Sequence, residues 1–186
     1  GSLIWFGCDD AATSWLTPCY VNATEVPECF RVGNGDLLHY SATSAFWMNN
    51  RVTNQCYRMY NQMEPVVRRE IDAYEYDMMF DRVPKFDDLL CRTLSKGGRR
   101  ALKKTRKAMT AFSVDNAQRQ FRNWVELEEL LTVKFIDGNV KAQDADGKFL
   151  HSQYHAGTPD GLEQPGYTDF WKKAVAWFHG KTVKVQ

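Results

Sequence analysis

The chain has 186 residues, 44% of them hydrophobic and 13% aromatic, with a formal net charge of +1. That composition excludes an intrinsically disordered chain and leaves enough apolar material for one core-bearing domain. No apolar run approaches the roughly 20 residues of a membrane span, no basic region leads into a long apolar stretch as in a signal peptide, and a charge so near zero predicts no polyanionic partner by itself.

Taken in order, Gly1 and Ser2 lead straight into the apolar run Leu3 to Phe6, an abrupt entry expected of a fragment cut from a longer protein. Leu3 to Phe6 reads as a short buried strand, which Gly7 ends or bends. Asp9 and Asp10 are consecutive carboxylates after Cys8. On an extended chain neighbours point to opposite sides, so at most one faces a given site, and turn or cap duty is the plainer role. Leu16 to Asn22 is a second strand candidate, placed at an edge or bulge by Pro18. Asn22, Ala23 and Thr24 spell a glycosylation acceptor, a weak signal alone. Glu25 to His39, with Pro27, Gly33, Asn34 and Gly35, reads as a loop ending in a turn.

Tyr40 to Met63 predicts a long buried helix with two faces. Ala45, Met48, Val52, Cys56, Met59 and Met63 recur at helical spacing as an apolar stripe. Phe46, Asn50, Asn54, Tyr57 and Asn61 form a second stripe, whose amides need backbone, water, polar or ligand partners. Ser41 or Ser44 can cap the start, and Pro65 can sit in the first turn of the next element. A helix from Pro65 to about Phe80 carries Val67, Ile71, Tyr74 and Met78 on one side. Pro84 interrupts it. Phe86 to Leu94 is a short helix, Lys96 to Gly98 a break, and Arg99 to Phe112 a basic helix. Ser113 then reads as an N-cap for a second long helix over Val114 to Ile136, with Ala117, Phe121, Trp124, Glu128, Leu131 and Phe135 inward.

Charge is unevenly spread: Glu64 to Asp88 holds eight acidic and four basic residues, and Lys96 to Lys107 seven basic and no acidic ones. The two segments are expected to pack together. The five cysteines are odd in number and match no metal spacing, and Cys56 reads as a core residue. After Asp137 and Gly138 the chain turns polar. Asp144, Asp146 and Gly147 resemble the opening of a calcium loop without its closing glutamate. His151 and His155 lack a helix and a third ligand, so no metal and no cofactor is expected. Thr168 caps a last helix with Phe170, Trp171, Ala174, Val175 and Phe178 inward and Gly180 at its end, and Thr182 to Val185 reads as a strand. The expected class is α+β, predominantly helical. Its divisions are strands and loop over 1–40, helices over 41–136, and loop, helix and strand over 137–186.

Two stretches, WFGCDDAATSWLTPCYVNATEVPECFRVGN and YSATSAFWMNNRVTNQCYRMYNQM, resemble the C-terminal part of the bacterial cysteine-type dipeptidases of the N-terminal-nucleophile hydrolases. The later DGNVKAQDADGKF and PGYTDFWKKAV are similar in style to that family's end, and the likeness is weakest from Asp81 to Asn116. The resemblance implies a place in a larger αββα sandwich and hydrolysis of dipeptide amide bonds by an N-terminal cysteine that serves as its own base. Gly1 departs from that pattern, so the nucleophile is expected on the missing N-terminal half, and the chain alone is expected to be inactive. Cys8 could replace it only if the chain were cut after Gly7.

Within the matched motifs, Asp9, Asp10, Asn49, Asn50 and Asn54 are the substrate-binding candidates: an amide can hold a carbonyl or oxyanion and a carboxylate can bind a dipeptide's amine. Fastening the helix to neighbouring backbone is the competing role for Asn50 and Asn54, and core packing for Trp47, Tyr57 and Tyr60. The expected partners are a dipeptide, the N-terminal half and, through exposed sheet edges, a second copy, with no nucleic acid and no membrane span. The location is open between cytoplasmic and exported. A different class of function is a non-catalytic interaction module whose basic helix 96–107 binds a polyanion, a membrane surface or a protein.

Overall fold

The computed structural model describes residues 2–178, with the side chain of Phe178 outside them. It is predominantly helical with two small antiparallel sheets. Residues 1–131 and 132–186 form two compact units. The expected helix end at Gly180 and the strand over Thr182 to Val185 lie outside the described residues.

In the first unit, β1 (Leu3–Phe6) pairs antiparallel with β2 (Thr17–Tyr20), setting Leu3 opposite Tyr20 and Trp5 opposite Pro18. Two strands expose two edges, so Pro18 removes no hydrogen bond from a sheet interior. β1 is half-buried rather than buried, because a lone pair of strands covers one face only, and Ile4 and Phe6 are exposed.

The helix expected over Tyr40 to Met63 is broken. α1 spans Ala45–Arg58 and α2 Tyr60–Asp77, with Met59 between them at φ −145°, ψ 55°. Ser44 holds the N-cap position without a side-chain cap bond, and Ser41 instead accepts from the Thr43 N–H. Pro65 lies inside α2, whose helical turns start at Tyr60, ahead of it. The apolar stripe itself packs inward: Ala45, Met48, Val52, Cys56 and Met63 are buried, and Val67, Ile71 and Met78 continue it.

Pro84 does not interrupt the helical path either. α2 passes through a π turn (Met78–Arg82) into α3 (Val83–Leu94), with Pro84 in the first turn of α3. Proline lacks the N–H and crowds the carbonyl four residues back, and a widened turn relieves both problems. After Leu94 the chain reverses into α4 (Gly98–Phe135), 38 residues long. The expected division at Ser113 is absent: the Ser113 hydroxyl donates to the Met109 carbonyl at 2.9 Å and accepts from the Tyr20 N–H at 3.0 Å. A serine that bonds back one turn is satisfied within a helix and need not cap one.

α2 and α3 form one arm of a hairpin, and α4 the other. Phe86 stacks on Phe112 at 4.3 Å, Leu90 and Met109 share a core cluster, and Arg82 reaches Asn116. Tyr20 clamps β2 onto this hairpin, its ring against Phe86 and Phe112 and its hydroxyl donating to Asp87 at 2.7 Å. Trp15 is fully buried against Trp124 and Phe30. α1 is tied to α4 by Glu128, which accepts from Arg51 at 2.9 Å and Gln55 at 2.7 Å.

The acidic and basic segments do not pair. Among the described residues, Glu64, Glu70, Asp72, Asp77 and Asp81 make their ion pairs with Arg68, Arg69, Arg82 and Lys85 of the same stretch. Arg99, Arg100, Lys103, Lys104, Arg106 and Lys107 are exposed. Leu102 is exposed as well, and Ala101 and Thr105 take the buried side instead.

In the second unit, β3 (Val140–Lys141) pairs antiparallel with β4 (Leu162–Glu163). The Asp144 carboxylate accepts from the N–H groups of Asp146 and Lys148, both at 2.9 Å. That is the work of a turn residue. The Thr168 hydroxyl caps α5 (Asp169–Phe178) by accepting from Trp171 N–H at 3.3 Å. Of the expected inner face, Phe170 and Trp171 are exposed and Ala174 and Val175 half-buried; Tyr167 stacks on Trp171 at 4.1 Å, and Ala176 is buried.

Candidate functional site

Gly7 sets up the site. A Cβ there would lie 2.7 Å from the Trp15 carbonyl oxygen and 2.8 Å from Leu16 Cδ2, so only glycine lets β1 leave the sheet this close to the returning chain. The next three residues bend at Asp9 and open a turn at Asp10, whose carbonyl accepts from the Thr13 N–H at 3.3 Å. Asp9 takes φ +73°, and the Asp10 carboxylate accepts from the Ala12 N–H at 2.7 Å.

α1 meets this turn with two adjacent side chains, Asn49 and Asn50, and a third, Tyr57, about two turns further on. Asn49, fully buried, donates from Nδ2 to the Cys8 carbonyl at 2.8 Å and to its Sγ at 3.6 Å. Its Oδ1 is buried without a partner. Asn50 Nδ2 lies 3.4 Å from the Asp9 carboxylate, a long contact. Tyr57 donates its hydroxyl to Asp10 Oδ2 at 3.0 Å. Asn54 does not reach the turn; it folds back onto the Asn50 carbonyl at 2.8 Å and the Asn50 side chain at 3.1 Å.

Four of the five candidates, Asp9, Asp10, Asn49 and Asn50, therefore lie where the Cys8–Asp10 segment runs along α1, with Asp9 at Asn50 and Asp10 about two turns further on at Tyr57. The polar stripe containing Asn50, Asn54 and Tyr57 is a solvent-facing one, because the opposite stripe takes the core. Tyr57 and Tyr60 are exposed, not core residues. Tyr57 is the partner that spacing alone misses: its position on the asparagine stripe, one helical face shared with Asn50, is the signal for it.

Beside the turn is a cavity of about 490 Å³. Cys8 and Cys29 contribute thiols to it, Phe6, Phe30 and Phe46 its apolar walls, and Ser44 and Asn34 its polar edge. Phe6 and Phe30 meet edge to face at 4.9 Å. Asn34 is fixed by donating to the Glu28 carbonyl at 2.8 Å and accepting from Ser41 at 2.5 Å and Thr43 at 3.0 Å. Its size and its mixture of aromatic wall and few polar groups suit a small organic ligand.

Electrostatics separate the carboxylate from the thiols. The Ala12 N–H, then Tyr57, hold the Asp10 carboxyl below its usual value, and the same contact raises Tyr57. Asp10 is thus an anion ready for an ammonium group. Burial pushes the Cys8 thiol up to about 11, against the opposing Asn49 hydrogen bond, and the Cys29 thiol up to about 12. A thiol so placed is protonated near neutrality and is a poor nucleophile. All five cysteines are free thiols. Among the described residues, no group of three or more histidine, cysteine or acidic side chains is placed to hold a metal ion.

The segment that carries this geometry is similar to a peptidase, a hydrolase of peptide bonds. Residues 1–73, which hold every donor and acceptor of the Cys8–Asp10 turn, match the model of Peptidase family C69, a cysteine peptidase family. Neither a curated protein nor a solved structure matches the chain.

Proposed function

We infer that this chain is the scaffolding and substrate-binding part of a bacterial dipeptidase of the N-terminal-nucleophile type. The dipeptide amine sits at Asp10, and the peptide lies toward the cavity beside Cys8. The observation that carries this reading is the convergence of Asp9, Asp10, Asn49 and Asn50 on one turn inside the matched segment. The raised Cys8 and Cys29 thiols support a nucleophile supplied by another segment of the parent protein, the N-terminal half that also completes the sheet sandwich. Assaying dipeptide hydrolysis by this chain alone, and again after joining it to the preceding part of its parent, tests the reading. Activity only in the joined protein is the expected result; silence in a joined protein shown to be folded overturns it.

The exposed edges of the two-stranded sheets give this chain a route to self-association. A sedimentation run showing monomer at high concentration counts against that.

A second reading rests on six exposed lysines and arginines on α4, Arg99 to Lys107, which the acidic segment leaves without ion pairs. In that reading the chain is a non-catalytic module that binds a polyanion. Binding to heparin that falls steeply with salt would favour it.

A further inference from the structure

The arms of the helical hairpin part around a cavity of about 580 Å³, between α2 with its π turn and α4, which shares no lining residue with the Cys8 cavity. Its charges differ by end, with Asp77 at the arginine end taken up by Arg82. At one end Arg82 and Arg119 donate to the same acceptor, Asn116 Oδ1. Arg82 also pairs with Asp77 at 2.9 Å, but Arg119 makes no ion pair among the described residues. Burial and then the neighbouring Arg82 lower the Arg119 pKa, outweighing the opposite pull of Tyr74 and Asp77. Trp124, only 1% exposed, lines the same cavity, and its indole N–H is buried without an acceptor among the described residues.

At the other end the sign reverses. Because the arms run antiparallel, with Arg82 beside Asn116, Glu70 on α2 comes level with Glu126 on α4. Arg119 and Glu126 are seven residues apart on one helix, which separates the cationic and acidic ends by about 10 Å at the rise of an α-helix. Ala73 and Tyr74 on one wall and Asn123 and Trp124 on the other lie between them. A plain anion meets Glu70 and Glu126, and a plain cation meets two guanidiniums. A molecule with an amine at one end, a carboxylate at the other and an apolar stem satisfies both ends and supplies the acceptor that Trp124 lacks.

We propose that this cavity binds a short linear zwitterion, its carboxylate held by Arg119 and the Trp124 indole N–H and its ammonium by Glu70 and Glu126. The site is separate from the Cys8–Asp10 turn and does not depend on the peptidase reading.

The test is an NMR titration of the intact chain with ε-aminocaproate, caproate and hexylamine, following the Trp124 indole N–H resonance, identified by its loss in Trp124→Phe. ε-Aminocaproate is expected to shift that resonance saturably, and each probe lacking one charge to bind about tenfold more weakly, as for loss of a charged hydrogen bond. Arg119→Gln and Glu126→Gln should each weaken binding by about the same factor. Glu126 is exposed, so its variant keeps the test decisive even if Arg119→Gln unfolds. No shift with ε-aminocaproate, caproate binding as tightly as ε-aminocaproate, or an unaffected Glu126→Gln would each overturn the proposal.

Discussion

Asn49 and Cys8 meet in a one-sided contact: the Asn49 amide nitrogen donates to the Cys8 carbonyl at 2.8 Å, while the amide oxygen beside it is buried with no partner. Asn49→Ala removes the donor to the turn and should cost about 1–3 kcal/mol. Asn49→Asp should cost more, since it turns a carboxylate toward a carbonyl oxygen. Urea unfolding midpoints of the two variants order them; equal midpoints for Asn49→Asp and the parent chain would contradict the contact.

Asp10 should matter more to substrate than to folding, because it is only half-buried and its folding contacts are one backbone N–H and the exposed Tyr57. In the joined protein of the proposed function, Asp10→Asn is expected to raise KM for a dipeptide about tenfold with kcat nearly unchanged, the loss of one charge-assisted contact to an amine. Steady-state kinetics checks this, and a fall in kcat alone would argue against amine binding at Asp10.

Gly7→Ala forces a methyl group into the Trp15 carbonyl and Leu16. Overpacking of this kind costs about 1–3 kcal/mol. Thermal melts should show a lower midpoint for the variant, whereas Gly33→Ala, where a Cβ meets nothing within 4 Å, should feel only the backbone strain of its positive φ.

Stability should fall on the alkaline side. Burial raises the folded-state pKa of Cys8 and of Cys56 from 9.0 to about 11. A raised pKa means the folded chain holds its proton more tightly than the unfolded one. The resulting stabilisation is complete below pH 9.0 and disappears as pH rises toward about 11. Urea midpoints measured in steps across that window should decline, and Cys56→Ala should flatten part of the decline.

Much of the architecture was legible because core positions repeat: Val52, Cys56 and Met63 read as one inward stripe and Val67 and Ile71 as part of the next, and all are buried. The breaks were harder. Nothing in the spacing around Met59 marks the end of α1, since Met and Tyr suit a helix interior. Ser113 carries the same local signal whether it caps a helix or bonds back within one, and the choice is made by the Tyr20 N–H, 93 residues away in sequence. The surroundings of the asparagines stayed open for a related reason. A helical stripe of Asn50, Asn54 and Tyr57 between aromatic residues is compatible with a buried polar seam or an open face, and only the packing of the opposite stripe decides. The pairing of Asp10 with Tyr57 depends on the turn after Gly7, which spacing within either segment does not encode.

The fastening of β2 carries a consequence for how the molecule is divided. Tyr20 lies in the segment that matches the peptidase family, yet its amide, ring and hydroxyl are all satisfied by residues from Phe86 to Ser113. Trp15 likewise completes its packing on Trp124. The family-like portion is therefore not a folding unit by itself. Expressed without α3 and α4, it would leave a strand amide unbonded and two large aromatic side chains in water, so the unmatched helices are the template on which the matched segment acquires its shape.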